Sequence, residues 1–339
     1  MTKIVTAVFL CLLCCFAAQA QTGVPLTLSK TIPLPGVVGG FDHFAIDLSG
    51  DVLFAAAKDN HTVEAVNLQT GKIAQNITGL SKPHGLAWVP ETHRLYVADG
   101  KLAQLQVFEG SPLHASGTLK LSDDADDMVY DEQSGTLYVG HGGSDAANPG
   151  RIAVINTKDF SLAASLPVAA HPEAIDIDRQ GQRVFANTAD AAQVAVVNIR
   201  TNAIEDTWKL KDASDNTPMA YDAQDEILLI ACRKPPVLLA LDANTGKEIG
   251  RISTDNGADD LFYDSTLHRV YVITGSGAVD VYSIDTAKHF TALGKVRTAS
   301  GAKTGLFVPS KNLLYVGIPG IGAKPAEIRV YQTNARLPR

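Results

Sequence analysis

The stretch ADDLFYD at Ala258–Asp264, followed by VYV at residues 270–272, belongs to a unit that occurs seven times along the chain. A near copy, ADDMVYD, occupies residues 125–131. Each copy can be aligned on one marker residue in its second apolar run; the markers are Phe54, Tyr96, Tyr138, Phe185, Leu229, Tyr271 and Tyr315. The intervals between them are 42, 42, 47, 44, 42 and 44 residues. A period in the forties, built from short β-rich runs, is typical of propeller blades.

Each copy has the pattern of four short strands separated by turns. In the first copy we predict strand a at residues 44–46, strand b at Val52–Ala57, strand c at 63–68 and strand d at Lys72–Ile77. Glycine-containing turns separate a from b and c from d, as hairpins require. The sequence therefore predicts an all-β fold, a seven-bladed β-propeller of four-stranded antiparallel blades.

The last copy lacks its fourth strand. From Lys303 onward we predict only three strands, whereas Leu26–Leu34 is a spare strand ahead of the first copy. We expect this N-terminal strand to join the last blade, because pairing the two chain ends closes the ring and removes an open sheet edge.

Residues 1–20 have the pattern of a signal peptide. Lys3 precedes an apolar run at 8–18, and AQA at 18–20 is a small-x-small cleavage site. We expect cleavage before Gln21, a periplasmic or secreted protein, and residues 21–339 as a single propeller domain. The apolar run is too short to span a membrane, so we expect no membrane span after cleavage.

Net charge and cysteine content narrow the partners and cofactors that we expect. The 339 residues are 45% hydrophobic and 19% charged, with a formal net charge of −7. This acidity argues against a nucleic-acid partner, which needs clustered Lys and Arg. Outside the leader the one cysteine is Cys232, which ends an apolar run and is interpreted as a buried strand residue. The sequence contains no Cys-x-x-Cys-His, so no covalent haem is expected. We also expect the protein to be a monomer.

Three segments resemble a known family: LYVAD at 95–99, LYVG at 137–140 and VYV at 270–272. They resemble the YVTN-repeat, YncE-like β-propellers, a group within the quinoprotein amine dehydrogenase β-chain-like propellers. The resemblance covers the chain after the leader and implies the propeller fold. The family includes exported proteins, relatives of lactonases and lyases, and cofactor-associated subunits. It shares no catalytic motif, so the resemblance assigns no residue a role.

One polar residue precedes every marker by twelve positions. The seven are Asp42, His84, Asp126, Glu173, Thr217, Asp259 and Lys303. Strand a is innermost in a blade, and the d-to-a and b-to-c connections lie on one face, so we predict that these residues surround the channel mouth. The positions one residue later add His43, Asp127 and Asp260, and the b-to-c loops add Lys58, Asp99, His141 and Arg233.

The acids of this group have a second interpretation, as acceptors of backbone N–H groups from the neighbouring blade. It accounts less well for the pairs at 126–127 and 259–260, because adjacent side chains point to opposite sides of a strand. His84 and His171 each adjoin a proline, and each taken alone is interpreted as a turn residue. The insertion at 142–150 is either a tolerated surface excursion or a flexible rim beside His141. A second long loop is predicted at 317–325.

Three functions fit this ring. The leading hypothesis is that a small molecule, metal or protein partner binds at the mouth. A Ca²⁺ or Mg²⁺ ion would use the acids at 42, 126, 173 and 259, whereas zinc would use His43, His84 or His141 with one carboxylate. The alternative is a metal-assisted hydrolase or lyase, acting on a lactone-like or polyhydroxylated substrate with a histidine as base. The third is a subunit of a periplasmic redox complex.

Overall fold

The computed structural model describes residues 24–145 and 148–334. The predicted signal peptide lies outside these ranges. Within them the chain forms 28 strands in seven four-stranded antiparallel sheets, together with three single 3₁₀ turns. No helix of the described chain is long and apolar enough to cross a membrane. The predicted seven-bladed β-propeller is confirmed.

Each blade uses consecutive strands, ordered from the innermost to the outermost. Blade 1 contains β2 (Phe44–Asp47), β3 (Val52–Ala57), β4 (Thr62–Asn67) and β5 (Lys72–Ile77). Blade 2 contains β6 (Pro83–Val89), β7 (Arg94–Asp99), β8 (Gln104–Glu109) and β9 (His114–Lys120). Blade 3 contains β10 (Met128–Asp131), β11 (Thr136–His141), β12 (Arg151–Asn156) and β13 (Ser161–Pro167).

The next three blades repeat this order. Blade 4 contains β14 (Pro172–Asp178), β15 (Arg183–Thr188), β16 (Gln193–Asn198) and β17 (Ala203–Lys209). Blade 5 contains β18 (Ser214–Asp222), β19 (Ile227–Lys234), β20 (Pro236–Asp242) and β21 (Glu248–Ser253). Blade 6 contains β22 (Ala258–Asp264), β23 (Arg269–Thr274), β24 (Ala278–Ile284) and β25 (Phe290–Arg297). The 3₁₀ turns are Lys58–Asn60, Ala189–Ala191 and Pro309–Lys311.

Blade 7 is assembled from both ends of the chain. It contains β26 (Gly305–Val308), β27 (Leu313–Ile318), β28 (Ala326–Thr333) and, as its outer strand, β1 (Leu26–Leu34). Strand β1 runs antiparallel to β28, from Leu26 opposite Thr333 to Leu34 opposite Ala326. The inner strand β26 also contacts β2, so the ring of inner strands is closed. The predicted N-terminal closure is observed.

The hydrophobic core lies between the blades. The buried apolar residues of the described chain form seven clusters, and each cluster joins neighbouring sheets. The tyrosine markers are buried there, and Tyr96 satisfies its hydroxyl by donating to the Thr157 carbonyl at 3.0 Å. Strands b and c are covered on both faces, which explains their continuous apolar sequence. Cys232 is buried among them as expected, and burial raises the pKa of its thiol to about 12.

Strand ends differ slightly from the prediction. In blade 1 strands b and d have the predicted bounds. Strand a ends one residue later than 44–46, and strand c begins and ends one residue earlier than 63–68. The ladder with β3 sets this register, because Ala57 pairs with Thr62 and Val52 pairs with Asn67. Neither difference moves the start of strand a, on which the position of the mouth depends.

Candidate functional site at the channel mouth

All seven residues of the predicted ring line one cavity of about 190 Å³ at the channel mouth. One comes from each of the seven blades, so the residues twelve positions before the markers form a closed circle of side chains. The remaining lining residues are His43, Lys58, Lys82, Asp124, His171 and Arg233. The cavity wall is more polar than apolar and contains both carboxylates and cations, so it suits a charged or metal-chelating ligand.

Asp126 is the centre of this group. Its Oδ1 atom lies 3.0 Å from His84 Nδ1, and its Oδ2 atom lies 3.2 Å from His171 Nε2. His84 Nδ1 is also 3.2 Å from Asp42 Oδ2. Burial opposes ionisation of Asp126, but the hydrogen bonds to His171 and His84 outweigh it and hold the pKa of this carboxyl well below its usual range. Asp126 is therefore an anion surrounded by imidazoles.

The imidazoles of His43 and His171 have defined orientations. His171 Nδ1 lies 2.6 Å from the Gly142 carbonyl, and His43 Nδ1 lies 3.3 Å from Asp260 Oδ1. If each ring donates its Nδ1–H to that oxygen, each Nε2 faces Asp126. Histidines that bind metals commonly have such an outer oxygen partner, which sets the tautomer. The 142–150 insertion thus contacts the site through Gly142.

Three residues offer a compact donor set. Asp42, His43 and Asp126 each present one ligand atom, and these atoms lie within 4.8 Å of one another. His43 Nε2 is 3.8 Å from Asp42 Oδ1 and 4.0 Å from Asp126 Oδ1. Ligands about 2.0 Å from a tetrahedral ion would be roughly 3.3 Å apart. A metal ion held by all three atoms would therefore require the side chains to move closer together.

The nearby carboxylates raise the pKa of all three histidines. For His171, burial alone would lower the pKa, but the hydrogen bond and charge of Asp126 raise it to about 9. The pKa of His43 is raised well above its usual value by Asp127 and Asp260 against the same burial effect. The pKa of His84 is also raised, by Asp126 and Asp42 against burial. When no metal ion is bound, protons on these histidines therefore offset the negative charge of the carboxylates.

Three cations pair with acids of the mouth, and one of these acids is Asp42 of the donor set. Lys58 Nζ donates to Asp42 Oδ2 at 3.0 Å. Asp259 forms ion pairs with both Arg233 and Lys303. Arg233 is fixed further by donation of its Nε–H to the Ala258 carbonyl at 2.9 Å. Asp259 is therefore held by its two cations, which makes it a poorer metal ligand than Asp126.

Glu173 differs from the other mouth acids. It is partly buried, and no hydrogen bond or ion pair to it occurs among the described residues. Burial and the charge of Asp126 raise the pKa of its carboxyl to about 7. A carboxyl with this pKa exchanges protons readily at neutral pH.

Asp127 and Asp260 point away from the mouth. Asp127 Oδ2 accepts the Ile175 N–H at 3.0 Å, and Asp260 Oδ2 accepts the Gly305 N–H at 2.6 Å. Both donors lie on the inner strand of the next blade. The backbone-acceptor interpretation therefore describes these two residues, whereas their neighbours Asp126 and Asp259 face the mouth. Asp260 still contributes by holding His43.

The structure does not bring Asp99 or His141 to the cavity. Asp99 is fully buried and accepts the N–H groups of Ser81 and Lys82 at 2.6 and 3.0 Å, so it holds the loop before β6. His141 Nδ1 accepts the Ser122 N–H at 3.2 Å, and burial followed by Arg151 lowers the pKa of this histidine to about 4. Both residues end the second strand of a blade, and each side chain accepts a hydrogen bond from the loop before the first strand of that blade.

Three lining residues are absent from the predicted set, and one of them, His171, is interpreted from the sequence as a turn residue. Lys82, Asp124 and His171 each precede a ring residue by two positions. A second offset, fourteen positions before the marker, would therefore have included them.

The fold and the mouth define the class of protein: a seven-bladed β-propeller with a charged, histidine-containing channel mouth. No family model matches the chain, and no curated protein matches it. Among solved structures the chain is similar to one titled Kuenenia stuttgartiensis Hydrazine Synthase, with a TM-score of 0.77 and 16% identity over 88% of this chain and 97% of that chain. It is also similar to a chain of a mitotic checkpoint complex, with a TM-score of 0.75 and 10% identity over 98% of each chain. At these identities the similarity concerns the fold alone.

Proposed function

We propose that this protein is a ligand-binding β-propeller whose mouth binds a divalent metal ion through Asp42, His43 and Asp126. The observation that carries the proposal is the donor set: three ligand atoms within 4.8 Å of one another, contributed by blades 1 and 3. The contact between His43 Nδ1 and Asp260 supports it further, since it leaves Nε2 toward the two carboxylates. His84 and His171 lie close enough to add ligands.

The donor types favour a first-row transition ion. Imidazole nitrogen together with carboxylate oxygen suits Zn²⁺, whereas Ca²⁺ and Mg²⁺ prefer sets made of oxygen alone. Among Ca²⁺, Mg²⁺ and Zn²⁺, we therefore propose Zn²⁺. The rest of the mouth, with Glu173 on its wall, leaves space for a small molecule beside the ion.

Zinc titration of the chelator-treated protein tests this proposal. We expect one saturable site in isothermal calorimetry. Asp126→Asn should weaken binding by at least tenfold, because it removes the central anion. The matched control is Asp190→Asn, an exposed acid in the 3₁₀ turn of blade 4, which should bind zinc as the unaltered protein does. Equal zinc affinity in the two variants, or no saturable binding, would contradict the metal site.

A second candidate function is a metal-assisted hydrolase or lyase acting on a lactone-like or polyhydroxylated substrate. The specific observation in its favour is Glu173, whose pKa near 7 suits proton transfer beside the proposed ion. In a lactone panel with zinc present, Glu173→Gln should lower kcat and leave zinc affinity unchanged. If the unaltered protein turns over the lactones no faster than Asp126→Asn does, this candidate function is excluded.

We also infer membership of the YncE-like propellers and a location outside the cytoplasm. The Tyr-Val repeats support the first and residues 1–20 support the second. Mass spectrometry of the mature N-terminus, expected at Gln21, checks the location; an intact leader on the bulk of the protein would refute it. One similar structure belongs to a multiprotein complex, so a protein partner at the mouth is a further candidate.

A further inference from the structure

A second cavity, of about 360 Å³, continues the channel behind the mouth. Its wall contains the residues ten positions before each marker, and six of the seven are apolar side chains: Phe44, Leu86, Met128, Ile175, Met219 and Leu261. The seventh is Gly305. The channel therefore changes from polar to apolar within two residues of each inner strand, or about 7 Å. We call this cavity the apolar chamber.

The carboxylates of the chamber wall already have partners. Asp127 and Asp260 accept backbone N–H groups of the next blade, and Asp176 Oδ2 accepts the Tyr221 N–H at 2.7 Å. Their hydrogen bonds belong to the joints between blades. A guest in the chamber would therefore contact the six apolar side chains of the ring, with polar atoms exposed between them, and a volume of this size falls in the range of small-molecule pockets.

The chamber and the mouth are adjacent. His43 and Asp259 line both cavities, and His43 is one of the three proposed metal ligands. A ligand bound to the ion at the mouth would thus have its remainder directed toward the apolar ring. Burial of each methylene group there would add affinity, because apolar surface leaves water.

We propose, resting on the metal site proposed above, that the natural ligand is an amphipathic small molecule. Its oxygen-rich, metal-chelating head binds at the mouth, and an unbranched alkyl chain of medium length extends into the apolar chamber. We propose an unbranched chain because the seven inner strands enclose the channel, so a ligand bound at the mouth extends along the channel axis. The ligand class follows from the polarity of successive rings of side chains along the channel.

A series of n-alkyl hydroxamates, from two to ten carbons, tests the chain. Each is titrated into the full-length, zinc-loaded protein by calorimetry. We expect the affinity to increase about fourfold per methylene until the chamber is filled, and then to level off. The two-carbon compound reports the head alone, so the slope with chain length isolates the chamber.

Leu306→Trp tests where the chain lies. Leu306 is a half-buried residue of the chamber wall, and the larger indole would occupy the space. In this variant the increase of affinity with chain length should disappear, while zinc and the two-carbon hydroxamate bind as before. The matched control is Leu48→Trp at an exposed leucine in the β2–β3 turn, which should retain the slope. If Leu306→Trp fails to fold, Met219→Gln, which makes the wall polar at similar size, should reduce the slope.

The outcomes separate the two proposals. Zinc binding with affinities that do not depend on chain length overturns the apolar chamber and leaves the metal site. An equal slope in Leu306→Trp and in the unaltered protein also overturns the chamber. Absence of zinc binding overturns the metal site, and the amphipathic ligand with it.

Discussion

Asp126 and Asp127 are adjacent carboxylic acids, yet the pKa of the first is held well below its usual range and that of the second is raised to about 6. Strand alternation sends Asp126 to the mouth, where His171 and His84 stabilise its anion. Asp127 points toward blade 4, where burial dominates over the charge of His43 and the Ile175 N–H. Asp126 therefore contributes to the candidate site, whereas Asp127 contributes to the contact between blades 3 and 4.

Glu173 permits a pH-dependent prediction at this scale. The pKa of its carboxyl rises from 4.5 to about 7 in the folded protein, so its ionisation opposes folding. The penalty develops as pH rises from 4.5 to 7. In the metal-free protein, Glu173→Gln should raise the free energy of unfolding by on the order of 1–2 kcal/mol at pH 8. At pH 4 it should leave the free energy of unfolding unchanged.

Urea unfolding at both pH values measures this difference. Glu132→Gln, at an exposed glutamate in the β10–β11 turn, is the control and should change stability little at either pH. A gain from Glu173→Gln that is the same at pH 4 and pH 8 would show that ionisation of Glu173 is not its cause.

At the scale of strands, carboxylates join neighbouring inner strands. Asp127, Asp176 and Asp260 each accept an N–H group from the next blade. Inner strands are short and meet at the channel, where backbone N–H groups of one blade have no strand partner in the next. A side-chain acceptor satisfies them, and an unpaired buried N–H group would cost about 1–3 kcal/mol.

Asp176 is suited to testing this joint, because it lies outside the mouth cavity. Asp176→Ala should lower the free energy of unfolding by about 1–3 kcal/mol, since the Tyr221 N–H loses its acceptor. Asp176→Asn keeps an acceptor oxygen and removes a charge that burial disfavours, so it should cost less than about 1 kcal/mol. Chemical denaturation and hydrogen exchange at Tyr221 measure both variants; equal stability of Asp176→Ala and Asp176→Asn would contradict the role of the hydrogen bond.

At the scale of the whole molecule, stability depends on closure. Strand β1 supplies Leu26, Ile32 and Leu34 to the buried core of blade 7, and its ladder with β28 joins the two ends of the chain. A ring of packed blades has no free edge only while this strand is in place. We therefore expect loss of residues 21–36 to destabilise the whole propeller.

A point substitution tests closure more gently. Ile32 is 1% exposed, so Ile32→Ala should cost about 2–4 kcal/mol of unfolding free energy in one cooperative transition. On the same strand Leu28 is 50% exposed, and Leu28→Ala should cost less than about 0.5 kcal/mol. Urea denaturation followed by circular dichroism compares them. Equal effects, or a separate early transition for Ile32→Ala, would argue against closure as the source of global stability.

The sequence by itself determined the number of blades, the order of strands and the ring of residues at the mouth. These properties follow from local alternation and from a repeat whose offset from the marker is constant, so no contact between distant residues had to be known. It also identified the ambiguity of the Asp pairs, since alternation requires that only one member of each pair face the mouth.

Only the tertiary structure decided which ring residues meet. His171 reaches Asp126 from the loop before blade 4, His43 reaches it across blade 2, and Asp99 and His141 turn away into their blades. These contacts depend on the closure of the ring and on loop conformation, which no local pattern of polarity specifies. The chemistry of the mouth therefore depends on the assembly of seven blades, whereas the strands of the blades can be predicted from local sequence.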